Sequence, residues 1–404
     1  MTKILPLPLF DTLSHLEKES DFSYLTNDYS LEDIHHAIAF LVSYKNSSGT
    51  FNSYRREIER LLHWSTLVAK KTLKHLHRTD MEAFIDFCQA PPKSWIGTKK
   101  PPRFIEQEGA RMPNPTWRPF VATVSKQAFK EGKTPSSENF ILSHGALRES
   151  FAILSSFFNY LLQEDYVDTN PVALIRQKSK FIRKHQGQQK IRRLSELQWQ
   201  YVIRTAHRLA EMDPATHERT LFIMSALYAM YLRISELAAS NRWTPRMLDF
   251  ARDNDGNWWF TTVGKGNKLR QIAVSDTLLT ALKRWRAYLG ISALPSPADQ
   301  SPLLPKSRGQ GPMQSTNHIR KIVQFCFDKA VHQLQQDGLG EEAQTLTEAT
   351  VHWLRHTGIS DDVKIRPREH VRDDAGHSSS AITDRYVDIE LRERHQSAKK
   401  KQIF

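Results

Sequence analysis

A chain of 404 residues is too long to be organised around one hydrophobic core, so two or three domains are expected. Hydrophobic residues at 39% and charged residues at 25% are ordinary for a folded soluble protein, and no apolar run reaches the length of a membrane span. Two cysteines, Cys88 and Cys326, exclude a disulfide framework and a thiolate metal site. The opening residues Met1 to Pro6 lack the apolar core of a secretion signal, and a reducing cytoplasm, in association with the nucleoid, is the expected compartment. Lys and Arg outnumber Asp and Glu by 57 to 44, a net charge of +13. That excess favours a polyanionic partner, although charge alone does not separate nucleic acid from a merely basic soluble protein.

In chain order, the first expected helix covers residues 31 to 45. Ser30 and Asp33 resemble a capping box, and Ile34, Ala37, Ile38 and Leu41 recur at helical spacing. A second covers Phe51 to Leu67, with Tyr54, Ile58, Leu61 and Leu62 on its apolar face. Thr79 and Glu82 are read as the cap of a third, carrying Met81, Phe84, Ile85 and Phe87. Prolines 91, 92, 101, 102, 113, 115 and 119 then break regular patterning. The same stretch holds Trp95, Phe104, Trp117 and Phe120, too aromatic for a disordered linker, so residues 91–135 are expected to form an ordered, irregular insertion. Helix resumes from Ser143 to Gln163 on the stripe Leu147, Phe151, Leu154, Phe158 and Leu161, and stops before Asn170-Pro171.

Eight Lys or Arg residues and no acid lie between Arg176 and Arg193. Such a run is usually a solvated linker; here Lys178, Lys180, Arg183 and Lys184 are expected to touch a phosphate backbone as well. Beyond it, Ser195 caps a helical stretch reaching Ser240. Two strands, Trp258 to Val263 and Leu269 to Val274, flank the turn Gly264-Lys265-Gly266-Asn267-Lys268. Helices are expected again at Asp276–Leu289, Asn317–Gln336 and Leu346–Ser360. The fold class is therefore mainly α with one small antiparallel β-sheet in the C-terminal half.

Five short segments of that half carry chemistry: Leu232-Arg233-Ile234-Ser235-Glu236-Leu237, the glycine-flanked Lys265 turn, His352-Trp353-Leu354-Arg355-His356-Thr357, Ala375-Gly376-His377-Ser378-Ser379 and Asp384-Arg385-Tyr386. Two arginines can grip the non-bridging oxygens of one phosphate with their planar forks. A lysine on a hairpin tip can give a proton to a leaving oxygen. Histidines can donate to the phosphate or manage the proton of a nucleophile. A tyrosine hydroxyl can attack and form a covalent intermediate. Each piece has an ordinary explanation alone: Arg233 an ion pair with Glu236, Lys265 and Tyr386 solvated surface residues. His352 and His356 stand at i and i+4, but no glutamate makes them an HExxH motif, so no metal site is expected.

Taken in order, L-R-x-S-E-L, G-K-G-x-K, H-x-x-R, G-H and a tyrosine nine residues on resemble the tyrosine recombinase (phage integrase) family. The family pattern of Arg, Lys, His-x-x-Arg, His or Trp, and Tyr is filled by Arg233, Lys265, His352, Arg355, His377 and Tyr386. The resemblance covers roughly Ser195 to Phe404, with a weaker likeness of Ser48 to Pro171 to the family's helical core-binding domain. It implies an N-terminal helical extension at 1–46, a SAM-like core-binding domain at 47–175 with its insertion, a basic linker at 176–193, and a mixed α+β catalytic domain at 194–404 ending in a tail. This chain departs from the pattern at Met230-Tyr231, where Thr-Gly is usual, and at Ala375, where Leu is usual; both are read as packing changes.

The resemblance further implies a site-specific recombinase or integrase whose two domains clamp double-stranded DNA and which works without a cofactor or metal. Tyr386 would form a 3′-phosphotyrosine link. Arg233 and Arg355, assisted by His352 and His377, would stabilise the phosphorane charge, and Lys265 would protonate the 5′-oxygen. Glu236 would orient Arg233 or a neighbour, and Lys268 would contact DNA. A homotetramer on two DNA sites is implied, from a monomer or dimer off DNA, with the tail from Ile389 packing on a neighbouring subunit and no membrane partner. Two alternatives remain open at this level: a type IB topoisomerase-like relaxation enzyme, and a non-catalytic DNA-binding regulator of the same fold.

Overall fold

A computed structural model describes residues 5–17, 28–178, 192–264, 266–384, 386 and 398–399, and for residues 174 and 176–178 the backbone alone. The chain folds as two compact units, Met1–Gly187 and Gln188–Phe404. Both are mainly helical, with small sheets.

In the first unit α1 (Leu13–Leu16), α2 (Leu31–Val42), α3 (Ser48–Trp64) and α4 (Arg78–Gln89) precede the proline-rich stretch, and α5 (Lys126–Lys130), α6 (His144–Gln163) and α7 (Pro171–Lys178) follow it. The apolar stripes meet as their spacing predicts: Phe40 and Leu41 of α2, Ile58 and Leu61 of α3, Phe84 of α4, and Leu154, Phe157 and Phe158 of α6 are buried in one core. Two expected caps differ. Ser30 accepts from the Asp33 amide, but the Asp33 carboxylate turns away to the Leu73 amide and the Tyr166 hydroxyl, so no reciprocal box forms. Helix α4 starts at Arg78, two residues earlier than expected, because Asp80 caps the amide of His77 at 2.8 Å; Glu82 instead pairs with Arg78. Helix α3 ends at Trp64 and continues as a wide π turn, Ser65–Ala69, stopped by Lys70 in the left-handed region.

The insertion is ordered. Strands β1 (Ile96–Gly97) and β4 (Phe120–Val121) pair in parallel, and β2 (Phe104–Gln107) and β3 (Ala110–Pro113) form an antiparallel hairpin. Its arginines pin the N-terminal segment to α3. Arg103 pairs with buried Glu59 and donates to the Phe10 carbonyl, Arg111 pairs with Asp11, and Glu59 accepts the Leu9 amide at 2.6 Å.

The second unit opens with α8 (Glu196–Met212), under a Ser195–Gln198 capping box, and α9 (Pro214–Ala229), followed by the single turn α10 (Ile234–Leu237). Its sheet has three strands, β5 (Phe250–Arg252), β6 (Trp258–Val263) and β7 (Leu269–Ala273), in the order β5-β6-β7 and antiparallel throughout. The first strand was not foreseen: three residues are too few to show a period of two. Phe250, Phe260 and Ile272 lie in register and turn one face of the sheet into the core. Helices α11 (Asp276–Tyr288), α12 (Thr316–Gln336), α13 (Gly340–Thr347), α14 (Val351–Asp362), α15 (Arg368–Ala375) and α16 (Ser380–Asp384) complete the unit. The single helix expected at Leu346–Ser360 is thus divided. α13 ends at Thr347 and α14 starts at Val351, because buried Leu346 and Ala349 close one turn before the chain sets out in a new direction.

Among the described residues no helix is long and apolar enough to cross a membrane. Lys180, Arg183, Lys184 and the tail from Ile389 to Ser397 lie outside the described residues, as does the side chain of Lys178.

Candidate active site

Helix α14 is held against α9 more closely than side chains ordinarily allow. A Cβ at Gly358 would stand 2.1 Å from the Tyr228 carbonyl oxygen, so only glycine fits at that crossing. Thr357, one residue earlier, is buried and accepts the Leu194 amide at 3.0 Å. This contact fixes the rotation of α14, and with it the direction of His352, Arg355 and His356, which share a face at i, i+3 and i+4.

Arg355 is 2% exposed. It donates to the carbonyl of Tyr231 and, at 2.6 Å, to that of Ala375, so one guanidinium ties the end of α9 to the end of α15. Tyr231 occupies the left-handed region (φ 49°), an uncommon conformation for a bulky residue. Its carbonyl is held by Arg355, and its hydroxyl donates to Asp362 and accepts from Arg366. Tyr231 stands where the family pattern has glycine. The substitution keeps the backbone turn and holds it by hydrogen bonds, which is more than the packing change read from sequence. At Ala375 the backbone is again what matters, since its carbonyl accepts from Arg355 and Arg270.

Arg233 precedes α10, and Glu236 three residues on reaches back to it. The carboxylate accepts the Arg233 amide at 2.8 Å and its guanidinium at 2.9 Å, then bridges to Arg270 of β7 at 2.8 Å. Gly376 follows α15 in the left-handed region, and a Cβ there would come within 2.8 Å of Arg270 Nη1. Its positive φ and lack of a side chain let His377 turn back beside the arginines. His377 Nδ1 lies 2.9 Å from Thr383 Oγ1. The imidazole stacks on the Tyr386 ring at 5.7 Å between centroids and 18° between planes.

Tyr386 itself is half-buried, and its hydroxyl lies 2.6 Å from His356 Nδ1. His356 meets His352 edge to face at 4.2 Å. The fold therefore brings together Arg233, Glu236, His352, Arg355, His377 and Tyr386. Lys265 lies outside the described residues. Its neighbour Gly264 stands beside the Arg233 and Arg270 guanidiniums, each 3.7 Å from where its Cβ would be. Lys268 is exposed, and its carbonyl closes the turn by accepting the Gly264 amide.

Two residues of the cluster escaped sequence reasoning. His356 was visible only as half of a rejected zinc pair, and its i+4 spacing from His352 was the available signal. Arg270 had none, being one arginine in a strand of a basic chain.

The electrostatics of the cluster favour an anion. Burial, and then Arg233 and Arg270, push the Arg355 guanidinium down to about 9. Burial and the cationic side chains push His377 down to about 4. Burial, then His352, Arg355 and His377, push His356 down to about 3. Burial followed by Arg355 and Arg233 lowers His352 as well. Arg233 and Arg270 share one carboxylate, Glu236, and a bound phosphodiester would offset the part of these shifts that the arginines cause. Among the described residues no group of three or more His, Cys, Asp or Glu side chains is arranged to hold a metal.

No family model matches the chain. It is similar to the protein named "Tyrosine recombinase XerC" of Thermodesulfovibrio yellowstonii, 26% identical over 328 residues, covering 78% of this chain and 85% of the relative. It is also similar to the protein of that name from Haemophilus ducreyi, 24% identical over 247 residues, covering 59% of this chain and 66% of the relative. Among solved structures, the XerH site-specific recombinase bound to palindromic difH substrate in a post-cleavage complex superposes with a TM-score of 0.55 at 12% identity, covering 96% of this chain and 93% of that one. The Tn1549 transposon integrase in complex with a circular intermediate DNA superposes with a TM-score of 0.51 at 14% identity, covering 91% and 98%.

Proposed function

We propose, given that the chain belongs to the tyrosine recombinase (phage integrase) family, that it is a site-specific recombinase that cleaves and rejoins double-stranded DNA through a 3′-phosphotyrosine at Tyr386. The observation that carries the reading is the convergence of Arg233, Arg355, His352, His377 and Tyr386 from separate segments into one cationic cluster around the tyrosine. The Tyr386 oxygen attacks the scissile phosphorus and the 5′-oxygen leaves. Arg233 and Arg355 hold the non-bridging oxygens, where fixed guanidiniums act most strongly because they need no reorganisation as charge develops. His352 and His377 assist them. Lys265 is the acid for the 5′-oxygen. Glu236 keeps Arg233 in place.

The phosphotyrosine retains the bond energy of the phosphodiester, so rejoining needs no nucleotide cofactor. The arginines supply the charge that metal ions supply in other phosphoryl-transfer sites, so divalent ions are not required. A homotetramer acting on two DNA sites follows from the family reading.

The test uses a nicked suicide duplex carrying a site selected by the full-length chain from random-sequence DNA. An adduct that survives SDS and maps to Tyr386 is expected, with undiminished yield in excess EDTA. Tyr386→Phe should bind the same duplex and form no adduct. Normal adduct yield from that variant, or strict dependence on a divalent ion, would overturn the proposal.

A further inference from the structure

We infer that His356, which lies outside the ordered motif set, is the group that takes the proton from the Tyr386 hydroxyl as the tyrosine attacks; this rests on Tyr386 being the nucleophile. The Tyr386 oxygen and His356 Nδ1 are 2.6 Å apart, a short hydrogen-bond distance that places the reacting oxygen on this imidazole. The phenol ring is held from two sides, tilted 36° to His356 and stacked on His377. His377 has Nδ1 engaged with Thr383, and Arg355 has its guanidinium on two backbone carbonyls. His356 follows Arg355 directly on α14, so the clamp that orients the arginine orients this imidazole too.

The protonation state fits the role. Burial, then the neighbouring His352, Arg355 and His377, keep His356 neutral in the free protein, and in the tautomer protonated at Nε2 its Nδ1 lone pair accepts from the Tyr386 hydroxyl. The same surroundings make it a weak base until an anion arrives. A phosphodiester held by Arg233 and Arg355 offsets those charges and raises the basicity of His356 only when there is a phosphorus to attack. The hydroxyl is thereby protected from activation off DNA.

The Tyr386 O–H bond breaks and an N–H bond forms at His356 Nδ1. The phenolic oxygen forms the bond to phosphorus, and the bond to the 5′-oxygen breaks as that oxygen receives a proton from the acid. Rejoining runs the same transfers backwards, with His356 returning its proton to the departing phenolic oxygen.

The test compares tyrosine and 3,5-difluorotyrosine at position 386 of the full-length chain, each with His356 and with His356→Asn. The amide of Asn can accept the same hydrogen bond but cannot take the proton. With tyrosine, His356→Asn should form the adduct on the selected suicide duplex about 10²–10⁴-fold more slowly, at unchanged DNA affinity. Fluorination acidifies the phenol, so with difluorotyrosine most of that defect should vanish. Equal impairment with both nucleophiles would show that the histidine carries no proton in the transition state and overturn the inference. Full activity of His356→Asn with ordinary tyrosine would overturn it too. If His356→Asn does not fold, as judged by its melting curve, His356→Gln takes its place with the same readings. Failure of the parent reading looks different, because the adduct would then map away from residue 386 in every chain.

Discussion

Glu236→Gln is the sharpest perturbation of this site, because one buried carboxylate organises two of its three guanidiniums. Glu236 is 1% exposed. Oε1 accepts from Arg233 at 2.9 Å and Arg270 at 3.3 Å, while Oε2 accepts the Arg233 amide and Arg270, each at 2.8 Å. Glutamine keeps the shape but retains one acceptor oxygen, and it turns an amide donor toward arginine donors. Removing one partner of a buried, hydrogen-bonded pair costs about 3–5 kcal/mol. The Arg233 side chain is 30% exposed, so water offsets part of its loss and the low end, about 3 kcal/mol, applies. For a unit of this size that lowers the melting temperature by roughly 6–12 °C. If the same loss falls on the position of Arg233 in the transition state, adduct formation slows about 10²-fold. Adding Arg270→Leu should recover part of the stability, since the uncompensated cation leaves with its partner, without recovering the rate. Calorimetry and single-turnover cleavage measure the two quantities. A Glu236→Gln chain melting within about 2 °C of the parent would mean that the pair contributes little and does not organise the site.

Four further outcomes are expected. Gly376→Ala combines a left-handed backbone with a Cβ 2.8 Å from Arg270, so it should slow cleavage while leaving DNA affinity nearly intact, read by gel shift beside single-turnover rates. His63 is buried, with Nδ1 on the Tyr29 hydroxyl, and burial pushes it from 6.5 down to about 4. The unfolded chain therefore binds the extra proton between those values, and the contribution, roughly 3 kcal/mol, is present above pH 6.5 and lost as pH falls through 4; His63→Gln should flatten the melting temperature over that window. Lys265→Ala should cleave an ordinary duplex far more slowly than the parent yet cleave one with a bridging 5′-sulfur at nearly the parent rate, because a thiolate leaves without protonation; equal impairment on both would move the acid to another residue such as Lys268. Replacing Lys178, Lys180, Arg183 and Lys184 with Gln should weaken binding to all sequences alike and flatten the dependence on salt, and an unchanged slope would mark these residues as a solvated linker.

Elements whose signals are local are legible in the chain before it folds. The stripe of α6, the Ser195 cap and the Gly264–Lys268 turn were readable because amphipathic period, capping and glycine punctuation depend on residues a few positions apart. The order of reactive groups is legible in the same way, since a family pattern of six positions is a property of the chain and not of its folding. Tertiary structure decided what depends on distant partners. Asp33 left its expected capping role because Leu73 and Tyr166 offered better donors, 40 and 133 residues away. Tyr231 holds a glycine-like conformation because Arg355, 124 residues on, grips its carbonyl. Arg270 and His356 became members of the site only when β7, α14 and α15 were brought together. A lone arginine in a basic chain carries no local signal, and the i+4 spacing of His356 from His352 does not say what it will touch, because each role lies in the burial and the charges that surround the residue after folding.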